Sequence, residues 1–405
     1  MKPVVLTFVR HYLPGNRAGG PTRSIANLVE RLGDEFEFRI VALDRDIGDT
    51  EAYPDIRPAT WIRLGKAWVR YSAPNWFRLR EVADVVRATP HSVLYLNGFF
   101  DPALTQPVLI NRRLHRFGGA PVVLAPRGEF AGAALKIKRV KKRVYMRVAR
   151  WTGLYSGLVW QASSEHEAQD IVREFDVGLP HKVAGQVSVA GNIVVAPDVV
   201  SSGAARAPVC QRDGRIRPGT PLRVCFLSRI SPMKNLDFAL RVLSEVRVPV
   251  DFFIYGPIED HAYWDRCQQL IRALPAHVRA SHRGAVEPHD VAATLGEHDL
   301  FLFPTRGENF GHVIFEALNA GLPVLIGDQT PWRDLATKGV GWELPLADQS
   351  AFARRVEEVA GWSHTDFERA ALNAFAVSSQ ILNGDATVEA NRALFIGAMN
   401  RGGRV

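Results

Sequence analysis

At 405 residues, with 47% apolar and 23% charged side chains, the chain has the composition of an ordinary soluble globule and enough length for two domains, each with its own core. No apolar run reaches the roughly 18 residues that span a bilayer, and the opening MKPVVLTFVRHYLP lacks the apolar core and cleavage site of a signal peptide. Cys210, Cys225 and Cys267 are odd in number and form no CxxC pair, so a disulfide scaffold is set aside and a cytoplasmic location is expected. The net charge of +8 belongs to the first half: residues 1–196 carry 28 Lys and Arg against 18 Asp and Glu, and residues 197–405 carry 22 against 24.

Val4 to Val9 reads as a buried strand, followed by a polar loop through Gly19-Gly20 and a helix from Thr22 to Leu32, the βα entry of a Rossmann-like half. Neither GxGxxG nor a Walker A motif is present, so the paired glycines mark a turn or a close backbone approach to a ligand. Phe38 to Leu43 is the next strand. The Asp44-Arg45-Asp46 at its end looks like a metal clamp, but a lone DxD is common by chance and no metal site is expected. Loops at strand ends do carry function, which leaves Asp44 and Asp46 as candidates to line a substrate site. Val93 to Leu96 exits at Asn97-Gly98-Phe99-Phe100-Asp101, and Val122 to Ala125 exits at Arg127-Gly128-Glu129. Asn97 can donate and accept hydrogen bonds but does not titrate near neutrality. Arg127 and Glu129 read either as site residues or as an exposed ion pair.

Between Ala131 and Ser164 the cations Lys136, Lys138, Arg139, Lys141, Lys142, Arg143, Arg147 and Arg150 occur without a single acid. Such a stretch suits nucleic acid, a membrane surface or a solvated helix face. No aromatic side chains interleave with Lys136 to Arg143 and no reader motif is present, so no nucleic-acid partner is expected. Tyr145 and Trp151 are expected near headgroup level if the stretch meets a membrane. Leu158 to Ala162 is a strand, and Ser164 with Glu167 forms a capping box ahead of the helical run Ala168, Ile171, Val172 and Phe175. His166 is expected on that helix's surface. Val187 to Ala190 reads as the last strand of the half, and Pro197 to Pro221, rich in Gly, Pro, Ser and Ala, as a linker.

The second half restarts with strand Leu222 to Leu227, the loop SRISPMK and a helix from Asn235 to Val246. A strand, a cationic loop and a helix start make a phosphate site, with Arg229 offering a planar fork and Lys234 a movable point charge. Asp251 to Tyr255 with Gly256-Pro257, Val278 to Gly284, and Asp299 to Pro304 continue the pattern. Phe303 to Asp334 then reads as strand, loop, helix and strand. Asn309 is the expected N-cap, leaving the amides from Phe310 through Gly311 to Val313 to face an anion. Glu308 and Glu316 are eight residues apart, roughly 12 Å along a helix. One carboxylate suits the hydroxyls of a sugar and the other those of a ribose. Ala353 to Ala360 and Ala386 to Met399 read as helices.

Glu308-x7-Glu316 ahead of Ala317-Leu318, Gly321 and Pro323-Val324 resembles the donor-binding signature of glycosyltransferase family 4 (group 1), of GT-B fold. Arg229 with Lys234, the Gly19-Gly20 loop and the Gly256-Pro257 turn extend the resemblance over most of the chain. Only one glycine of the family's GxGP element is present, and Asn97 stands where many members carry histidine. The resemblance implies an α/β architecture of two Rossmann-like doubly wound domains facing across a cleft. These are an acceptor domain over 1–196, a linker over 197–221, a nucleotide-sugar domain over 222–380, and a helix over 381–405 returning to the first domain. It implies a retaining transferase that moves a sugar from a nucleotide diphosphate sugar to a saccharide or lipid-linked saccharide, in surface polysaccharide or lipopolysaccharide synthesis, with no metal and no other cofactor. Donor contacts would come from Gly19, Gly20, Arg229, Lys234, Glu308, Asn309, Phe310, Gly311 and Glu316, with Arg229, Lys234, Glu308 and Asn97 nearest the chemistry. Arg127, Glu129, Asp44 and Asp46 would lie on the acceptor side, and Lys136, Lys138, Arg139, Lys141, Lys142 and Arg143 against an anionic inner leaflet. A nucleotide-sugar epimerase of the same fold and a non-catalytic sugar-nucleotide-binding protein remain as alternatives.

Overall fold

In the computed structural model the described residues are 2–402 apart from 16, 18, 55, 75–78, 137, 176–191 and 201–219. The chain forms two compact units, Met1–Ser201 with Gly384–Val405, and Ser202–Asn383.

The first unit runs through β1 (Val4–Phe8), α1 (Gly20–Leu32), β2 (Glu37–Leu43), β3 (Trp61–Leu64), β4 (Ala67–Ser72), α2 (Leu79–Ala88), β5 (Val93–Asn97) and α3 (Thr105–Arg113). It continues with β6 (Val122–Ala125), α4 (Gly132–Lys136), α5 (Arg139–Trp151), β7 (Val159–Ala162), α6 (Glu165–Phe175) and β8 (Ile193–Val195). Its eight strands lie in the order β3-β4-β2-β1-β5-β6-β7-β8. The central runs VVLTF, EFRIVAL, VLYLN and VVLA are buried on both faces and pair in parallel, as near-continuous apolar strands do when helices cover both sides. The winding reverses between β1 and β5, so the loops leaving those two strands diverge and open a crevice at their carboxyl ends. One departure from the expected parallel pattern is β3, antiparallel to β4 across a turn at Gly65, whose φ is 57°. The strand expected at Val187 to Ala190 lies outside the described residues, and β8 forms the sheet edge beyond them.

The second unit contains β9 (Leu222–Leu227), α7 (Leu236–Glu245), β10 (Val250–Tyr255), α8 (His261–Arg272), β11 (Val278–His282), α9 (Val291–Gly296) and β12 (Leu300–Phe303). It closes with α10 (His312–Asn319), β13 (Val324–Gly327), β14 (Gly341–Leu344), α11 (Gln349–Ala360) and α12 (His364–Asn383). Its six strands are all parallel in the order β11-β10-β9-β12-β13-β14, and the reversal falls between β9 and β12.

The last helix, α13 (Asp385–Gly402), belongs to the first unit. Phe395 enters an aromatic cluster with its ring centroid 5.3 Å from Tyr95 and 5.7 Å from Phe36. Arg392 grips Glu35 with two bonds of 2.6 Å, and Asn391 donates to the Pro197 carbonyl at 2.8 Å. The segment expected as a linker over 197–221 begins inside this unit, where Asp198, Val199 and Val200 are buried, and 201–219 lie outside the described residues. The second unit extends through the whole of α12 to Asn383 rather than ending at 380.

Candidate functional site

In the second unit the loops after β9 and β12 are stitched together beside the switch point. Asn235, in the left-handed region at φ 61°, opens α7, donates from Nδ2 to the Pro304 carbonyl at 2.9 Å and accepts from Arg306 Nε at 3.0 Å. Arg306 N donates to the Met233 carbonyl at 3.0 Å. The close seat of the β9 loop requires a glycine at 256, since a Cβ there would fall 1.9 Å from the Ser228 carbonyl oxygen.

Two of the expected donor residues meet in this knot. Lys234 Nζ donates to Glu308 Oε1 at 2.5 Å, both side chains about 85% buried, and Thr305 Oγ1 lies 3.2 Å from the same oxygen. The ammonium also sits over the Phe303 ring at 5.7 Å. Arg229 is more open and pairs with Glu259 at 2.7 Å.

The helix start differs from the expected one. The N-cap of α10 is Gly311, at φ 80°, and Asn309 lies two residues before it. A Cβ at Gly311 would fall 2.8 Å from Ile314 Cδ1, so the turn into the helix needs glycine, and the dipole's positive end begins later than a cap at Asn309 would put it. Phe310 precedes the cap, its carbonyl accepting from Trp332 Nε1 at 2.6 Å and its ring packing near His312. Because Glu308 stands in the loop and only Glu316 stands on α10, the helical spacing of roughly 12 Å does not apply to the pair.

The first unit carries a cavity of about 240 Å³ at the ends of β1, β5 and β6, lined among others by His11, Asn97, Asp101, Arg127 and Glu129. Arg127 and Glu129 are not an exposed ion pair. Arg127, at φ 58°, directs its guanidinium inward and pairs with Asp198, both side chains only 7% exposed. It also donates to Asn97 Oδ1 at 2.9 and 3.0 Å and to the Tyr95 hydroxyl at 2.6 Å. Asn97 Nδ2 lies 3.4 Å from the Phe8 carbonyl, so its amide clasps β1 and β6 to β5. Glu129 Oε2 accepts from the amides of Phe99 at 2.5 Å and Phe100 at 2.8 Å, and burial pushes its pKa up to about 7.

Asp44 and Asp46 are buried and serve loops. Asp44 pairs with its neighbour Arg45 at 2.9 Å, and Asp46 accepts from the amides of Arg17 and Ile47 at 2.9 and 2.7 Å, tying down the loop that leads to Gly19. Gly19 caps α1 at φ 74°, whereas a Cβ at Gly20 would meet open space. Half of the expected capping box forms. Glu167 N donates to Ser164 Oγ at 3.1 Å, but the Glu167 carboxylate turns to Ser163 and to the Gly128 amide. His166 is exposed, as expected, 3.5 Å from Asp170.

Most of the basic stretch forms α5, with Lys138 in the left-handed region just before it. Arg139, the first residue of the helix, is exposed together with Lys141 and Arg143, while the Lys136 side chain lies outside what is described. Lys142 departs from the expected outward face: its Nζ donates to the Ala134 carbonyl at 2.9 Å and sits over the Phe100 ring at 4.7 Å. Tyr145 also turns inward, its hydroxyl 2.5 Å from that of Tyr155. Sequence reasoning leaves His11 and Asp101 out of the site, and the signal for Asp101 is its place two residues after a buried Phe99 in the β5 exit.

Residues 211–361 match the family described as glycosyl transferases group 1. No curated protein sequence matches the chain. Among solved structures, sucrose-phosphate synthase from Thermosynechococcus elongatus is similar over 99% of this chain and 100% of its own, with TM-score 0.71 and 14% identity. HepE of Anabaena, solved with UDP and glucose, is similar over 98% and 100%, with TM-score 0.67 and 16% identity. WaaG, a glycosyltransferase involved in lipopolysaccharide biosynthesis, is similar over 97% and 99%, with TM-score 0.63 and 15% identity. The chain therefore has the GT-B fold, two Rossmann-like units of parallel sheet, and its second unit carries the match to glycosyl transferases group 1.

Proposed function

We propose that the protein is a retaining, metal-independent glycosyltransferase that moves a sugar from a nucleotide diphosphate donor, bound by the second unit, to a saccharide acceptor bound by the first. The observation that carries this reading is the knot at the second unit's switch point, where Lys234 and Glu308 meet just ahead of the starts of α7 and α10, with Arg229 on the same β9 loop. Cations and helix N-termini at one crevice suit a diphosphate. HepE was solved with UDP and glucose, and a trehalose-6-phosphate protein of E. coli with UDP-2-fluoro glucose, which supports a donor of that class.

In this reading the bond from the sugar's anomeric carbon to the β-phosphate oxygen breaks as the acceptor hydroxyl attacks from the same face. The hydroxyl proton passes to the departing phosphate oxygen, whose charge is stabilised by Arg229, Lys234 and the helix dipoles. Lys234 exchanges part of its bond with Glu308 for the phosphate, freeing that carboxylate to accept a sugar hydroxyl, and Glu316 accepts from the ribose. Glu308 and Glu316 bind and do not attack.

The finer part of the proposal is an acceptor carried on a lipid, in surface polysaccharide synthesis, reached by docking on the cytoplasmic leaflet. No helix among the described residues is long and apolar enough to cross a membrane. On α5, Val140, Val144, Val148 and Trp151 are 77%, 57%, 50% and 87% exposed and fall within an arc of about 80° opposite the packed face. Lys141 flanks that arc on one side and Arg147 and Arg143 on the other. An apolar stripe between cations suits the headgroup boundary of an anionic bilayer, where each cation adds about 1 kcal/mol.

Thermal unfolding with UDP-, GDP- and ADP-sugars tests the donor reading. The true donor at 100 times its Kd should stabilise the second unit by about 2.7 kcal/mol. If no nucleotide sugar raises the midpoint, the reading falls.

A further inference from the structure

The outer edge of the first unit's sheet carries a strip of side chains that the core does not absorb. Strands β2, β4 and β3 turn Ala67, Val69, Tyr71, Ile62 and Leu64 to one face, against a core cluster. By the alternation of strands, the other face presents Arg39 from β2, Trp68 and Arg70 from β4, and Trp61 and Arg63 from β3. The register sets Arg39, Trp68 and Arg63 side by side in one row, and Val41, Arg70 and Trp61 in the next. Val82, Val85 and Val86 of α2 share a core cluster with Val41, and Trp61 packs at its margin, whereas Trp68 belongs to neither cluster. Arg63 is exposed, and Arg39, Arg70 and the two indoles are half-buried. The first row lies toward the amino ends of β2 and β4, away from the crevice at the carboxyl ends.

The indoles hold the guanidiniums by their faces and leave their edges open. Arg63 stacks over Trp68 at 5.6 Å and Arg39 over Trp61 at 6.0 Å, an arrangement that keeps the planar donors of each fork available. Arg39 Nε donates to Glu37 at 2.6 Å and Arg63 Nε to the Gly65 carbonyl at 2.9 Å, and among the described residues nothing takes their Nη donors. Arg70 Nε is buried without a hydrogen-bond partner among the described residues, and burial pulls its pKa down with no acid near enough to offset the loss of water. Three forks thus stand against one carboxylate, Glu37. Charge complementarity calls for an anion, and paired planar donors suit carboxylates. Arg39 and Arg63 stand two strand spacings apart, roughly 10 Å, so a chain that repeats its charge can engage both at once. A bilayer would need apolar side chains that project past the charges, whereas both indoles are half-buried with guanidiniums over them. Single-stranded nucleic acid stacks its bases on open rings, and here one face of each indole is taken.

We propose that this strip of β2, β4 and β3 binds an acidic polysaccharide, with Arg39, Arg63 and Arg70 holding the carboxylates of its uronate units. The choice of a glycan among polyanions rests on the transferase reading and gives the saccharide handled by the first unit an anionic class. Fluorescence anisotropy of labelled oligogalacturonate on the full chain tests it, with neutral dextran of equal length, single-stranded DNA and phosphatidylglycerol vesicles as the other arms. Oligogalacturonate should bind at low salt at least tenfold more tightly than dextran. Arg63→Glu, at an exposed position, should weaken it at least tenfold. Arg70→Met removes an unmatched cation, so the chain should stay folded while oligogalacturonate again binds less tightly. Affinity no better than for dextran, or unchanged in both variants, overturns the inference. So does tighter binding to DNA or vesicles that Arg63→Glu abolishes, or oligogalacturonate binding that is lost instead when Lys141, Arg143 and Arg147 of α5 are reversed to glutamate. Nucleotide-sugar binding by the second unit is read separately in thermal unfolding, so the strip can fail while the transferase reading stands, and the reverse.

Discussion

Glu129→Gln isolates one titration. Burial is the largest influence on this carboxyl and lifts its pKa from 4.5 to about 7, against the pull of the Phe100 and Phe99 amides and of Lys142. The folded chain therefore holds the proton more tightly than the unfolded one. The stability this contributes is fully present below about pH 4.5 and is lost as the pH rises through about 7. The gap between those values amounts to at most about 3 kcal/mol, an upper bound because Glu129 lines a cavity open to water. Glutamine cannot ionise, yet its oxygen can still accept from both amides. Relative to the variant, the wild type should lose about 2 kcal/mol between pH 5 and pH 8. Asp101, whose pKa burial also raises, titrates in both proteins and cancels to first order. Urea unfolding across that range, with the dependence on urea required to match between the two proteins, measures the difference. A stability difference that stays flat with pH would show that Glu129 ionises as it does in water.

Arg229→Ala and Lys234→Ala should each weaken nucleotide diphosphate binding and cut turnover by orders of magnitude, and unchanged kinetics in both would refute the donor assignment. Glu316→Ala should lower affinity even for the bare nucleotide, whereas Glu308→Ala, which releases Lys234 from its ion pair, should lower affinity only when the sugar is attached and leave the bare nucleotide bound at least as well; an equal loss for both ligands in the two variants would refute the placement. Activity should survive EDTA, because Arg229, Lys234 and the helix starts supply the positive charge that a divalent ion would otherwise bring, and a strict metal requirement would contradict this. Anionic vesicles at low salt should sediment with the wild type, and reversing Lys141, Arg143 and Arg147 to glutamate or replacing Trp151 with serine should release it; binding that survives both changes would remove α5 from membrane docking.

The strands are legible because each is a short apolar run punctuated by glycine, proline or a polar loop. Leu222 to Leu227 and Val122 to Ala125 match β9 and β6 residue for residue. The β3 and β4 hairpin escapes that reading, although Leu64-Gly65-Lys66-Ala67 between two aromatic runs is a two-residue hairpin signal. The helix α12 escapes it too, its Ala- and Ser-rich run carrying little contrast between faces. Within the site, local residues are legible and their partners are not. Arg127 meets Asp198 across 71 positions and Lys234 meets Glu308 across 74, pairings set by the order of the strands in each sheet. That is why Arg127 and Glu129, two residues apart, read as an ion pair and yet each finds its partners elsewhere.

The same supersecondary pattern yields opposite chemistry at the two switch points. After β9 and β12 the loops are held by backbone contacts around Asn235, so their charged side chains meet beside the starts of α7 and α10. After β5 and β6 the cation Arg127 is drawn into the sheet by Tyr95, Asn97 and Asp198, and the groups left toward the cavity are carboxyls and a neutral imidazole. A crevice of cations and helix dipoles favours an anion, and a crevice of buried acceptors favours hydroxyl donors. The proposed transfer, from a nucleotide diphosphate sugar to a saccharide, would use one of each. Arg127 bears on the second only indirectly: with Arg127 replaced by methionine, Asp198 would be left buried and unmatched, and the charge balance of the first unit's crevice would be lost with it.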